Sequence, residues 1–355
     1  MIGDILSFAV GITALTIGAD WLVRGASKLA SQLGVSHLVV GLTVVAFGTS
    51  APELVVSGSA ALAGEPDVAV GNVMGSTVAN VGLIVGIGAL LKPIIVHRSL
   101  LVRETPLVIM VLTLVMILSL DGSLGTSDGL LLLTSFTLYL LFLLKWGGGG
   151  LDEMAREVEA ELADGDPEAG DDTLSDEDPA GGLPRRPPVP DPAEPDLGLW
   201  QSIRCRTGTP WAILQIGVGL PLLLVGAHWL IQSALSLAET FNVPDAVIAA
   251  TMIAIGTSLP ELASTVAAAL RGMGDIAIGN VIGSNVFNLG LVLGTASILG
   301  PLQLSSAIVV QQVLPALIFS ILLIPLALSK ERVGRWEGAF LLTAYVTYVA
   351  WILAA

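Results

Sequence analysis

The chain has 355 residues, 54% of them apolar and only 13% charged, with a mean hydropathy of +0.83. Soluble globular domains carry about 25% charged residues, so these values exclude that class and indicate a polytopic membrane protein. The net charge of −15 belongs to one segment: between Asp152 and Asp196 stand 16 acidic residues and 3 Arg, whereas the rest of the chain, with 14 acids and 12 bases, nets −2.

Apolar runs long enough to cross about 30 Å of hydrocarbon recur along the chain. Five lie at 5–22, 38–62, 68–91, 104–120 and 129–146, and five more at 211–238, 246–270, 276–299, 307–328 and 337–354. The opening Met1-Ile2-Gly3-Asp4 lacks the basic start of a signal peptide, so the first run reads as a retained span. The expected organisation is a five-helix unit over 1–146, a linker over 147–208 and a second five-helix unit over 209–355. Gly147 to Gly150 closes the fifth span, and Leu151–Leu162 has the pattern of one short acidic helix. Eight of the 19 prolines then fall between Pro167 and Pro195 among Asp/Glu runs. Such a composition cannot bury a core and is expected to be disordered. The run from Asp164 fails as an EF-hand, because Ala169 takes the Gly position and Ser175 the final Glu position. A solvated tether is the plain reading of this segment; a cation-buffering or inhibitory role is the alternative. The single Cys205 excludes an intramolecular disulfide and a cysteine-based metal site.

With the N-terminus outside and alternate loops inside, all 15 Lys and Arg fall on one side of the membrane. The short-loop residues Arg24, Lys28, Lys92, Arg98, Arg103, Arg271, Lys330, Arg332 and Arg335 agree on this without the linker. The positive-inside rule therefore predicts both termini outside and the linker in the cytoplasm.

An offset of 208 residues reveals an internal duplication. Phe47-Gly48-Thr49-Ser50-Ala51-Pro52-Glu53-Leu54 returns as Ile255-Gly256-Thr257-Ser258-Leu259-Pro260-Glu261-Leu262. Gly71-Asn72-Val73-Met74-Gly75-Ser76-Thr77-Val78-Ala79-Asn80 returns as Gly279-Asn280-Val281-Ile282-Gly283-Ser284-Asn285-Val286-Phe287-Asn288. Each copy holds an odd number of spans, so the two cross the membrane in opposite senses. Inverted repeats with interrupted helices near the midplane are a secondary-transporter architecture, with the site at the repeat interface.

Glu53 and Glu261 sit near the middle of apolar spans, where an isolated carboxylate is heavily penalised. Pro52 and Pro260 cannot donate to the carbonyls of Gly48 and Gly256, so both helices should bend and turn carbonyl oxygens inward. Thr49, Ser50, Thr257 and Ser258 add hydroxyls at the same breaks. Ser76 and Asn80 are four apart, as are Ser284 and Asn288, so each pair shares a helix face. Gly71, Gly75, Gly279 and Gly283 leave room for close helix approach. Every donor atom is oxygen, which suits hard cations such as Ca²⁺ and Na⁺, with no His or Cys to favour zinc or copper. The two carboxylates neutralise one Ca²⁺, and could equally hold two or three Na⁺ or two protons.

Blander readings exist for each feature. Ser50-Ala51-Pro52-Glu53 also fits a capping box, the Gly-Asn-Val-x-Gly-Ser runs fit helix packing, and Asn72 and Asn280 fit a bridging role between helices. Asp20 beside Arg24 reads as a surface pair, and His228 as an interfacial residue.

These motifs resemble the α-repeats of the calcium/cation antiporter superfamily, most closely its prokaryotic sodium/calcium exchanger branch. The resemblance covers both five-span halves and leaves out the linker. It implies an all-α membrane protein of ten transmembrane helices in two inverted five-helix repeats. It also implies exchange of Na⁺ for Ca²⁺ across a prokaryotic plasma membrane by alternating access, with no cofactor. Carried over position by position, Glu53 and Glu261 would be shared ligands of both ions, Thr49 and Thr257 calcium ligands, and Ser50, Ser76, Ser258 and Ser284 ligands at flanking sodium sites. The carbonyls of Ala46 and Ala254 match backbone ligands, and spans 1 and 6 would slide to alternate access. Asn288 stands where several relatives, including potassium-dependent exchangers, carry Asp; it matches Asn80 and argues against potassium dependence. The resemblance further implies three Na⁺ for one Ca²⁺. The rival on the same scaffold is a Ca²⁺/H⁺ antiporter, and a passive cation channel is the rival from another class. No nucleophile–base pair or redox motif speaks for an enzyme, and nothing points to a nucleic-acid or protein partner beyond a weak Pro-x-x-Pro in the linker.

Overall fold

Inside a bilayer the backbone must satisfy its own N–H and C=O groups, which selects helix for each apolar run. The computed structural model describes residues 2–96, 98, 100–146, 198–240, 256–328 and 331–354. The first repeat contains α1 (Ile2–Leu33), α2 (His37–Thr49), α3 (Ala51–Ala63), α4 (Pro66–Leu91), α5 (Leu100–Asp121) and α6 (Thr126–Trp146). The second contains α7 (Gly198–Thr240), α8 (Leu259–Leu270), α9 (Gly274–Leu299), α10 (Val309–Leu328) and α11 (Arg335–Ala354). Among the described residues eight helices are long and apolar enough to cross a membrane, and the bent pair α2–α3 makes a ninth. The expected span 246–270 is seen only from its residue 256 onward, as the short helix α8, so the count of ten rests on residues outside the described ones. The expected linker lies outside them too, except that α7 already begins at Gly198; its apolar stretch starts at Thr209.

The helix boundaries repeat with the sequence. Both α3 and α8 are followed by a glycine in the left-handed region, Gly64 (φ +75°) and Gly272 (φ +76°). At each, two backbone bonds close the helix: Gly64 N to Ala61 O and Glu65 N to Ala60 O, then Gly272 N to Ala269 O and Met273 N to Ala268 O. A residue with a Cβ would be strained there.

Two short antiparallel ribbons show the inversion directly. β1 (Ile94–Ile95) pairs with β4 (Arg332–Val333), and β2 (Ser123–Leu124) with β3 (Leu302–Gln303). An offset of 208 residues carries β1 onto β3 and one of 209 carries β2 onto β4, so the repeat exchanges the ribbons. Since α5 alone separates β1 from β2, the ribbons lie at opposite faces. The β1–β4 face is the basic one. There Lys92 Nζ donates to Leu270 O at 3.1 Å, and Asp20 binds both Arg24, at 2.9 Å, and Arg271. Asp20 is thus more than a partner for its own helix: it joins α1 to the α8–α9 turn. His228 is exposed on α7.

The packing has an inner and an outer part. Helices α4 and α9 are buried over most of their lengths, while α1, α6, α7, α10 and α11 expose most of theirs. The outer helices α1 and α7 meet backbone to backbone. A Cβ on Gly18 would lie 2.4 Å from Leu223 N, and one on Gly226 would lie 2.4 Å from Leu15 N. Both positions are related by the repeat, so the seam is itself two-fold. In the interior, α2 crosses α9 at glycines: a Cβ on Gly283 would meet Leu42 O at 2.7 Å, and one on Gly279 would meet Leu38 O at 3.0 Å.

Candidate cation site

Helix α2 ends at Thr49 and α3 begins at Ala51, with a bend of 46° between them. Ser50 at the break has φ −83° and ψ 5°; Ser258, its repeat mate before α8, has φ −87° and ψ 3°. The proline in the first turn of each following helix leaves the carbonyl four residues earlier without its usual donor, as expected. The capping-box reading does not hold, because neither serine side chain caps its helix. Ser50 Oγ instead donates across the repeat boundary to Glu261 Oε1 at 3.3 Å.

The breaks deliver Glu53 and Glu261 to the buried centre, at 0% and 1% exposure. Ser76 Oγ donates to Glu53 Oε1 at 3.4 Å and also lies 3.4 Å from Thr257 Oγ1. Ser76, Asn80, Ser284 and Asn288 all face inward and are buried, as their four-residue spacing requires. Thr49, Ser50 and Ser258 are buried with them, while Thr257 is half-buried. The structure therefore brings together Glu53, Glu261, Ser50, Ser76 and Thr257, and sets Thr49 one hydrogen bond away on Asn280. The Ala46 carbonyl accepts from Ser50 N at 2.9 Å and Thr49 Oγ1 at 3.3 Å. Thr49 has one hydroxyl proton for Ala46 O and for Asn280 Oδ1 (3.2 Å), so one of these oxygens always keeps a spare lone pair. Ala254 lies outside the described residues.

The unmet hydrogen-bonding capacity is concentrated in these same side chains. Eight buried oxygens have no hydrogen-bond partner among the described residues, and six of them belong to the expected site: Glu53 Oε2, Glu261 Oε2, Asn80 Oδ1, Asn288 Oδ1, Ser258 Oγ and Ser284 Oγ; the other two are Gln32 Oε1 and Gln312 Oε1. Buried polar atoms are rarely left so, and a cluster of unpartnered oxygens around two carboxylates is an environment a cation satisfies. Two further orphans, Asn285 Nδ2 and Asn288 Nδ2, are donors. Among the described residues no group of three or more His, Cys, Asp and Glu comes together, so the charge here is that of two carboxylates.

The sequence profile described as "Sodium/calcium exchanger protein" matches residues 4–145 and 211–354. The chain belongs to the sodium/calcium exchanger family. CaxA of Alkalimonas amylolytica is 38% identical over 344 residues, covering 96% of this chain and 95% of that protein. The sodium/calcium exchanger MaX1 of Methanosarcina acetivorans is 30% identical over 369 residues, covering 98% and 97%. Among solved structures, the sodium-calcium exchanger NCX_Mj soaked with Na⁺ and Ca²⁺ superposes with a TM-score of 0.75 at 28% identity, covering 99% of this chain and 98% of that one. The protein is accordingly a multi-span membrane antiporter of cations including Ca²⁺, of the prokaryotic branch, and not an enzyme. Exchangers of this family move Ca²⁺ and Na⁺ without a cofactor.

Asn72 and Asn280, read from the sequence only as helix-bridging residues, and Asn285, not singled out there, also belong to this exchanger's centre. Asn72 donates to Glu53 O at 3.3 Å and Ser57 Oγ at 2.9 Å, and accepts from Thr257 Oγ1 at 3.1 Å. Asn280 donates to Glu261 O at 3.4 Å and to Ser264 and Thr265 hydroxyls at 3.0 Å, and accepts from Thr49. Each asparagine thus fixes the backbone of its own glutamate and holds the threonine of the other repeat. The bridging role was the expected one; the crossing to the opposite repeat was not. Asn285, which accepts from Asn80 Nδ2 at 2.8 Å, was hidden because its repeat mate is Thr77. The signal available for it was a buried amide in the turn between Ser284 and Asn288.

Proposed function

We propose that this protein exchanges Na⁺ for Ca²⁺ at one central site built on Glu53 and Glu261. The observation that carries this reading is the cluster of six buried, unpartnered oxygens around two carboxylates from opposite repeats. Glu53 and Glu261 would be shared by both ions. Thr49, Thr257 and the carbonyls of Ala46 and Ala254 would complete a calcium site; Ser50, Ser76, Ser258 and Ser284, with Asn80 and Asn288 beside them, would serve Na⁺. A site of charge −2 cannot remain bare in hydrocarbon, so it exchanges one load for another rather than returning empty.

Alternating access would come from α1 and α7 sliding as a pair over the inner helices. Their glycine seam supports this, since a backbone-to-backbone contact moves as one body. The basic β1–β4 face would be cytoplasmic, with both termini outside, by the charge rule that places all Lys and Arg there. The membrane would be the plasma membrane of a prokaryote.

The test is Ca²⁺ uptake into proteoliposomes holding either Na⁺ or acid. An outward Na⁺ gradient drives uptake on this account and an outward proton gradient does not. The reverse result identifies a Ca²⁺/H⁺ antiporter, and uptake with neither gradient identifies a channel.

A further inference from the structure

The inverted repeat produces a pair of apolar grooves away from the cation site. One, of about 550 Å³, runs between α5 and α6 and is lined by Leu107, Met110, Leu114, Phe136, Tyr139 and Phe142 over Gly290 of α9. The other, of about 510 Å³, runs between α10 and α11 along Pro315, Ile318, Phe319, Phe340, Thr343 and Thr347. From α5 onward the repeat offset is 209 residues, as the ribbons and helix starts show, and it maps Met110 to Phe319, Ser135 to Ala344, Tyr139 to Tyr348 and Phe142 to Trp351, so these are two copies of one feature in opposite halves of the membrane. Both open sideways, where the surrounding medium is hydrocarbon.

Their polar ends differ. One turn before Leu107 stands Arg103, 29% exposed, with its guanidinium 6.0 Å from the centre of the Phe142 ring. Arg103 Nε donates to Glu104 Oε1 at 2.6 Å, and Glu104 Oε2 accepts from Tyr139 Oη at 2.8 Å. Glu104 is 1% exposed and so is a fixed support. A guanidinium held through Nε still presents terminal N–H groups, the fork that suits a phosphate. Lys145 lies one turn beyond Phe142 on α6, and Arg98 lies in the loop leading to α5; both are exposed. In the other groove the positions of Arg103 and Lys145 are held by Gln312 and Ala354. The shape is shared and the charge is not.

We propose that the α5–α6 groove binds an anionic phospholipid of the basic-face leaflet, with its phosphate at Arg103 and an acyl chain along Phe142, Tyr139 and Met110. The α10–α11 groove takes hydrocarbon without headgroup selection. The buried Glu104–Tyr139 pair orients Arg103, so lipid headgroup and α5–α6 packing are linked.

The test uses the full-length protein reconstituted in equimolar phosphatidylcholine and phosphatidylglycerol, released, and weighed by native mass spectrometry for retained lipid. Wild-type protein is expected to retain phosphatidylglycerol over phosphatidylcholine. Ser135→Phe fills the groove while removing only a bond to its own helix, Ser135 Oγ to Leu131 O. By keeping the acyl chain out it should lower retained phosphatidylglycerol about fivefold, roughly the worth of one or two CH₂ groups left unburied. Arg103→Gln with Glu104→Gln, which leaves no buried charge unpaired, should do the same. Thr343→Phe, in the other groove, should leave it unchanged. Equal retention of the two lipids by the wild type, retention by Ser135→Phe equal to wild type, or an equal loss in Thr343→Phe would each overturn the proposal. If the double variant fails to unfold cooperatively, the Ser135 and Thr343 pair decides alone.

Discussion

Ser50 and Ser76 of the first repeat each donate to a carboxylate, at 3.3 and 3.4 Å, whereas their mates Ser258 and Ser284 in the second repeat are as deeply buried and bond to nothing among the described residues. The motif is duplicated; its bonding is not. Two inverted copies in one identical conformation would expose the centre equally to both faces, so a transporter that opens to one side at a time must break its own symmetry. The glutamates, by contrast, are treated alike, each fixed through its backbone by the asparagine of its own repeat and each with one oxygen unpartnered. What the repeats share is the charge; what differs is which hydroxyls are engaged.

The shared charge gives the largest expected effect. A site of charge −2 that returns with three Na⁺ for one Ca²⁺ moves one net charge per cycle, worth about 2.3 kcal/mol per 100 mV, or about 50-fold in the Ca²⁺ ratio reached. Imposed potassium diffusion potentials in proteoliposomes measure this. A Ca²⁺ ratio indifferent to voltage would mean a neutral exchange and sink the three-for-one stoichiometry.

The two-fold glycine seam comes next. Gly226→Ala puts a methyl group 2.4 Å from Leu15 N and should force α1 from α7 at a cost of about 1–3 kcal/mol, lowering both thermal stability and turnover. Gly3→Ala, with nothing within 4 Å of the new methyl, should leave both as they were. Equal behaviour of the two variants would remove the seam from the account.

The serines then sharpen the asymmetry itself. In ion-free protein Ser50→Ala and Ser76→Ala each lose a bond and about 1 kcal/mol of stability, while Ser258→Ala and Ser284→Ala lose none. In flux assays the second pair should weaken activation by Na⁺ roughly fivefold. Four equivalent serines in the melting assay would mean that the broken symmetry has no energetic weight. The smallest effect belongs to Asp20, which is 27% exposed and holds α1 to the α8–α9 turn through Arg271. Asp20→Asn should shift transport by less than about threefold, and less again at high salt, as exposed ion pairs do.

Much of this was legible in the sequence, because the features concerned are local. Helix placement follows from apolar runs, the break at Ser50 from Pro52, and the shared face of Ser76 and Asn80 from their spacing. The glycine seam was readable too, since Gly11, Gly18, Gly219 and Gly226 stand at seven-residue intervals within their helices and at the repeat offset. The cross-repeat bonds of Thr49 to Asn280 and Thr257 to Asn72 were not readable, because they depend on how inverted copies dock. Glu104 was missed for another reason: a carboxylate at a span end reads as interfacial, and its mate is Val313. Residues that break the repeat are invisible to a search for repeats, and here they include the ones that distinguish the two halves.

The central claim is that Glu53 and Glu261 jointly hold one Ca²⁺ that Na⁺ displaces. Titration calorimetry of Ca²⁺ into the purified, detergent-solubilised chain tests it most directly, with the wild type, Glu53→Gln, Glu261→Gln and the double variant compared with and without Na⁺. The account predicts one Ca²⁺ per wild-type chain, progressive loss of that heat as Na⁺ rises, and no binding in any of the three variants. Undiminished Ca²⁺ binding in the folded double variant, or wild-type binding that Na⁺ leaves untouched, would contradict it.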